Sequence, residues 1–269
     1  MIRDYIKIGL SVIFFIGGIL MIANLVNGFG QRKWKGWGRF TVIKIGEKVV
    51  VESIDPKSNI GTRLFIPEGV EINTLQQRGQ WKPKSLSRLG GKYGWKWVGD
   101  SIADYLGISY TTITQEMVLW DKLEWWRLSL RTKWKEIDLG DTNLLTSRTS
   151  WDNEKVLGVS DKWVEKSREL FYAVDLGNSG LEVRVWNSTT KAGVAGRAAA
   201  VLESSGLPVI QVGERESNTS YCRVVSDKSR EKSPTVKWIM GILGCEWRGE
   251  DLLGNMVEVY LGQGYAERY

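Results

Sequence analysis

The sequence predicts a mixed α/β chain of the α+β kind, with a transmembrane helix ahead of two small α/β domains. Three observations predict it. An uncharged apolar run fills residues 8–26. Short strand-like segments broken by turn residues follow it. The last part of the chain alternates strand and helix patterns in the order β-α-β-β-α-β, which builds a two-layer domain of the ferredoxin-like kind. The 269 residues suffice for one large domain or two small ones, and 25% charged with 42% hydrophobic residues fits a folded chain.

The run from Ile8 to Val26 is 19 residues long, and only Ser11 and Asn24 in it are clearly polar. At ~1.5 Å per residue it spans the roughly 30 Å hydrocarbon core. It is too long for a signal peptide, and Asn27-Gly28-Phe29-Gly30 after it lacks the small-residue cleavage pattern. Residues 1–39 therefore read as an uncleaved anchor with a basic flank. Arg3 and Lys7 precede the run, whereas Arg32, Lys33, Lys35 and Arg39 follow it. Counted alone, those charges would keep the following chain in the cytoplasm. Trp34 and Trp37 fall where an interfacial aromatic belt would lie, with Arg32, Lys33 and Lys35 placed to meet lipid phosphates.

Residues 40–140 read as the first folded domain. Phe40 to Ile45 and Lys48 to Ile54 are strand-like, with Gly46-Glu47 as the turn between them. Asp55-Pro56-Lys57-Ser58-Asn59 is a turn cluster, and Thr62 to Ile66 a third strand ended by Pro67. A polar stretch follows, and then Gly90-Gly91 and Gly94 precede a helix over Trp97 to Leu106. Its Val98, Ile102 and Leu106 share a face, and Gly107 ends it. Leu119, Leu123, Trp126 and Leu130 form a helical stripe over Leu119 to Arg131. Two readings of that stripe stand: it faces the core, or the helix lies on a membrane surface with Trp and basic residues at the headgroups.

Residues 141–179 read as a linker, polar and aperiodic to about 160, and a short helix from Ser160-Asp161 through Phe171. In residues 180–269, Leu181, Val183 and Val185 alternate with polar neighbours as a half-buried strand. A loop from Asn187 to Gly193 enters a helix over Val194 to Ser205. Pro208 to Val212, Tyr221 to Val225 and Met256 to Leu261 are strand-like. A second helix carries Val236, Ile239, Met240 and Leu243, with Ser233-Pro234 at its start and Gly244 at its end.

Composition excludes whole reaction classes. With no histidine there is no imidazole base, no Ser-His-Asp or Cys-His arrangement and no HExxH zinc site. Two cysteines cannot build a four-ligand zinc cluster. Cys222 and Cys245 are compatible with a disulfide outside the cytoplasm and equally with two buried thiols. The net charge of +6 marks a solvated surface or an anionic partner. The 14 tryptophans suit platforms for sugar rings and a structural role alike. No aromatic-basic motif of the RNA-recognition type occurs, so no nucleic-acid partner is expected.

The C-terminal part resembles the LytR C-terminal domain that follows the catalytic domain of LytR-CpsA-Psr proteins. Val183-Arg184-Val185-Trp186-Asn187-Ser188-Thr189 carries the match. Gly193, Ala195 and Gly196 at a helix start, Leu202 and Gly206 at its end, and Val259-Tyr260-Leu261-Gly262 continue it. The front part resembles the first half of the catalytic domain through Ser53-Ile54-Asp55-Pro56-Lys57, Leu64-Phe65-Ile66-Pro67, Gly90-Gly91 and Leu106-Gly107-Ile108-Ser109-Tyr110. That family follows Ile-Pro with an Arg-Asp pair that handles a polyprenyl-linked diphosphate, whereas Glu68-Gly69 stands here. An anion replaces a cation, so the local field has the wrong sign for a diphosphate.

The resemblance implies a membrane-anchored cell-envelope protein with its bulk outside the cytoplasm and a shortened, non-catalytic front domain. Such a protein binds or scaffolds cell-wall glycopolymer, a polyprenyl-linked glycan or an envelope partner, and needs no cofactor. One alternative is an active phosphotransferase moving glycopolymer from a polyprenyl-diphosphate carrier to a wall acceptor with Mg²⁺. Its substitute cations would be Lys82, Lys84, Arg88 and Lys92. A second alternative, from the flank charges, is a cytoplasm-facing regulatory protein. Candidate ligand-binding residues are Asn187, Lys191 and Gly193 at a helix N-terminus, with Lys82, Lys84 and Arg88.

Overall fold

The computed structural model describes Phe15 and residues 30–149, 155–215, 220–252 and 254–269. Among these no helix is long and apolar enough to cross a membrane. The run 8–26 lies, but for Phe15, outside them.

The chain forms two α/β units, each around its own core. The front unit begins with β1 (Phe40–Ile45), β2 (Val49–Asp55) and β3 (Ile60–Ile66), an antiparallel meander. Its second turn is tied locally, because the Asp55 carboxylate accepts from the Lys57 amide at 3.1 Å and the Ser58 hydroxyl at 2.7 Å. A ribbon of β4 (Ile72–Asn73) and β5 (Gln80–Trp81) leads to α1 (Pro83–Tyr93) and α2 (Trp95–Leu106). Then come β6 (Thr112–Ile113), α3 (Leu119–Ser129) and β7 (Lys133–Asp138). The sheet order is β6-β1-β2-β3-β7, with both outer strands parallel to their neighbours.

Several expectations change here. Gly90-Gly91 lie inside α1, a helix that the polar stretch concealed. Pro83 opens it, and Leu86 and Leu89 bury its inner face. Residues 141–160 are not a linker. They contain the hairpin of β8 (Leu145–Thr149) and β9 (Lys155–Val159), and Leu157 exchanges backbone hydrogen bonds with Gly69 and Glu71. The helix that follows, α4 (Lys162–Phe171), buries Trp163, Leu170 and Phe171 in the front core. The boundary between the cores therefore falls at Tyr172.

The C-terminal unit holds α5 (Val174–Gly177), β10 (Glu182–Asn187), α6 (Val194–Ser204), β11 (Val209–Glu214) and β12 (Arg223–Ser226). It continues with α7 (Pro234–Leu243), β13 (Glu246–Gly249), β14 (Met256–Leu261) and α8 (Gln263–Ala266). The two layers are as expected, but the topology is not ferredoxin-like. The order is β11-β10-β14-β12-β13, and β10–β11 and β12–β13 are parallel pairs joined through α6 and α7. The last long strand, β14, inserts between them, parallel to β10 and antiparallel to β12. The additional strand β13 accounts for the difference. Cys222 and Cys245 form a disulfide that brackets β12 and α7.

The stripe on α3 does not face the core. Leu119, Leu123, Trp126 and Leu130 are exposed, while Asp121 and Leu128 are buried on the opposite side. Trp34, expected at a membrane interface, is 7% exposed and stacks on Phe40 at 5.2 Å between ring centres. Burial in a small aromatic cluster with Phe40 and Trp125 removes it from any bilayer contact.

Candidate functional site

Between the units lies a cleft of about 620 Å³. Three separate stretches line it. The first is the strap 33–37, which precedes β1. The second runs from Lys96 and Asp100 on α2 to Tyr110, Thr112 and Glu116. The third is the outer face of α7, with Lys237, Trp238 and Ile242.

The strap is fixed at both ends. Backbone amides of Lys33 and Trp34 donate to the buried Asp121 carboxylate at 2.9 and 3.4 Å. The Gly38 amide donates to Asp175 Oδ2 at 2.9 Å. Gly38 has φ +65, and a Cβ there would sit 2.5 Å from Trp238 Nε1, so the indole lies directly across this glycine. Arg39 then enters the interior. Its guanidinium donates to Ser53 Oγ at 2.8 Å, to the Ser53 carbonyl at 2.9 Å and to the Tyr172 carbonyl at 3.0 Å. Burial pulls its pKa down to about 10, opposed by Asp55. The strap thus holds Trp37 and two lysines against α7 of the other unit.

On the α2 side, Asp100 is already engaged. Lys96 Nζ lies 2.5 Å from Asp100 Oδ2, and the Tyr110 hydroxyl donates to Oδ1 at 2.7 Å. Burial first, and then the Asp100 charge, pushes the Tyr110 phenol well above the ordinary tyrosine range, so it stays a donor. The cleft presents four ammonium groups (Lys33, Lys35, Lys96, Lys237) against two carboxylates (Asp100, Glu116). It also presents ring surfaces from Trp37, Tyr110 and Trp238. Such a site attracts an anion and gives a sugar ring a flat apolar face to stack on.

The expected ligand residues do not meet there. Asn187 caps its own turn: Oδ1 accepts from the Thr189 amide at 3.1 Å, and Nδ2 donates to the Lys191 carbonyl at 3.0 Å. Gly193 has φ +81 and serves as the left-handed residue that starts α6. Lys82 precedes α1, and Lys84 and Arg88 stand exposed on it, while Lys92 sits 4.9 Å from the Tyr93 ring. None of these lines the cleft. Glu68 and Gly69 lie exposed in the turn after β3, under Leu157 of β9. Of the expected interface residues, Lys33, Lys35 and Trp37 line the cleft, and Trp37 is 41% exposed. Arg32 is half-buried beside them.

Sequence reasoning missed Lys96, Asp100, Tyr110, Lys237 and Trp238 as a group, because they come from distant segments. One signal was present: Pro234, Lys237, Trp238, Gly241 and Ile242 form a second stripe on α7, opposite its core face. Among the described residues no three His, Cys, Asp or Glu side chains gather as a metal site would require.

Residues 180–265 match the LytR_C family model, described as LytR cell envelope-related transcriptional attenuator. This is the segment whose strand, turn and helix residues carry the resemblance. No curated protein matches the chain. Among solved structures, the transcriptional regulator yvhJ from Bacillus subtilis superposes on 48% of this chain and 93% of its own, at 11% identity and a TM-score of 0.33. Bacillus subtilis TagT covers 78% of this chain and 93% of its own, at 12% identity and a TM-score of 0.26. The LytR-CPS2A-psr family protein YwtF (TagT) with bound octaprenyl pyrophosphate lipid covers 77% and 91%, at 10% identity and a TM-score of 0.24.

Proposed function

We propose that this chain is a single-pass, membrane-anchored envelope protein that holds an anionic wall glycopolymer in the cleft without catalysing its transfer. The observation that carries the reading is that Trp37, Tyr110 and Trp238 share one cleft with four lysines. Aromatic faces suit the sugar rings and the ammonium groups suit the charged linkages of such a polymer. The LytR_C match at residues 180–265 supports an envelope role. The Cys222–Cys245 disulfide supports an oxidising compartment, hence the orientation with the bulk of the chain outside. The run 8–26 supports the anchor. Glu68, exposed where the catalytic family has a cation, supports binding over catalysis.

The test is titration of the detergent-solubilised full chain with purified anionic wall polymer, followed by calorimetry at two salt concentrations. Binding is expected to weaken as salt rises and to fall at least about tenfold in Trp238→Ala, the loss of one well-placed aromatic contact. Absence of binding, or binding indifferent to Trp238, sinks the proposal. Release of polyprenyl phosphate on incubating the chain with polyprenyl-diphosphate-linked polymer, a wall acceptor and Mg²⁺ would replace it with the phosphotransferase reading.

A further inference from the structure

The outward face of α3 has no protein partner among the described residues. Leu119, Leu123, Trp126 and Leu130 are 60%, 48%, 62% and 67% exposed, and their spacing places them in one stripe. A helix in a water-soluble fold ordinarily turns such a stripe inward. Here the inward side carries Asp121, and the orientation follows from that carboxylate: it must face in to receive the amides of Lys33 and Trp34.

We propose that this stripe rests in the interfacial layer of an anionic lipid bilayer. The inference depends on the reading of residues 8–26 as a membrane anchor. Two observations then choose lipid over other occupants. The first is tether length. The apolar run ends at Val26 and the chain is pinned to α3 at Lys33. Seven residues reach at most about 25 Å when fully extended. The pin is at Asp121, on the inward side of the same helix that carries the stripe, so an anchored chain keeps α3 close to the headgroups. The second is charge. Lys122, Arg131 and Lys133 are exposed on α3 and on the segment that follows it. Glu124, the acid on that helix side, is spent on Arg127. Leucines with a tryptophan, rimmed by cations that pair with no carboxylate among the described residues, match an interfacial helix on anionic lipid.

Both native cysteines are in the disulfide, so one introduced cysteine can carry a spin label without interference. The full chain would be reconstituted in phosphatidylcholine–phosphatidylglycerol vesicles as Leu123→Cys and, for comparison, Lys84→Cys on α1. Flotation of the vesicles reports anchoring. Label depth is read from its relative accessibility to oxygen and to a water-soluble nickel complex. The expected result is co-flotation, with the label at 123 about 5–10 Å below the headgroups and that at 84 in water. Replacing phosphatidylglycerol by phosphatidylcholine should move the label at 123 outward.

Failure of the chain to float overturns the anchor and this inference together. Co-flotation with a water-exposed label at 123 overturns this inference alone. Dipolar broadening between labels would assign the face to a second copy of the chain, and protection from both reagents would assign it to another segment of this protein. Either result overturns the lipid contact.

Discussion

Single side chains connect the parts of this molecule. Asp121 is buried and serves two amides of a segment 87 or more residues away in sequence. Carboxylate-to-amide hydrogen bonds are stronger than neutral ones, and an amide left unpaired in the interior adds its own cost. Asp121→Ala should lower stability by about 2 kcal/mol in urea denaturation, and Asp121→Asn by less. Asp104 behaves differently. It faces Arg197 of α6, yet burial outweighs that attraction and its pKa is raised. A carboxyl whose folded pKa lies above its unfolded one adds stability below the unfolded value and loses it as pH rises through the folded one. The stability difference between the wild type and Asp104→Asn should therefore shift against the wild type as pH climbs out of the acid range. A set of denaturation curves from about pH 3 to pH 7, spanning the ordinary carboxylate range, measures it.

At the scale of elements, α7 has two jobs: Val236, Ile239 and Leu243 face the C-terminal core, and its other side forms a wall of the cleft. The disulfide spans a sequence separation of 23 around it. A loop of that length, once closed, removes enough unfolded-state entropy for Cys245→Ala to cost about 3 kcal/mol, measurable by guanidinium denaturation of oxidised protein. Which elements the sequence revealed follows from how each is buried. The β1–β2 hairpin was legible because Gly46-Glu47 punctuates two strand-like runs. The helix α2 was legible because Val98, Ile102 and Leu106 keep helical spacing and Gly107, at φ +61, ends it. The strand β7, Lys-Trp-Lys-Glu-Ile-Asp, was not, because an edge strand can be mostly charged and still pair. The β8–β9 hairpin was hidden by its Thr, Ser and Arg residues, which carry no clear alternation. The α3 stripe was found but its direction was not, since periodicity reports that a face exists and not what it meets.

At the scale of the molecule, the two units are joined through many small contacts. Gly38 reaches Asp175, Arg39 reaches the Tyr172 carbonyl, and Ser109 pairs with Ser205 at 3.0 Å. Tyr269 packs against both cores. Units coupled this way should unfold together. Far-UV dichroism and tryptophan fluorescence are expected to give coincident thermal transitions, and two separated transitions would contradict that coupling. The cleft was illegible at this scale for the same reason that it exists: its walls belong to different units, and no local pattern links Trp37 to Trp238.

The strap also decides how the molecule carries force. A pull arriving from the N-terminal side meets the Asp121 bonds first, then Gly38 under the Trp238 indole, then the Arg39 guanidinium. The load is divided between α3, the front sheet and Asp175 on α5 instead of peeling one strand at a time. With optical tweezers attached at residues 32 and 261, release of the strap should appear as a small first extension before either sheet ruptures. In Gly38→Ala, where the added methyl displaces Trp238, that first step should come at lower force. A polymer seated in the cleft would span the joint that yields first, and tension in it would register as a change in the cleft itself.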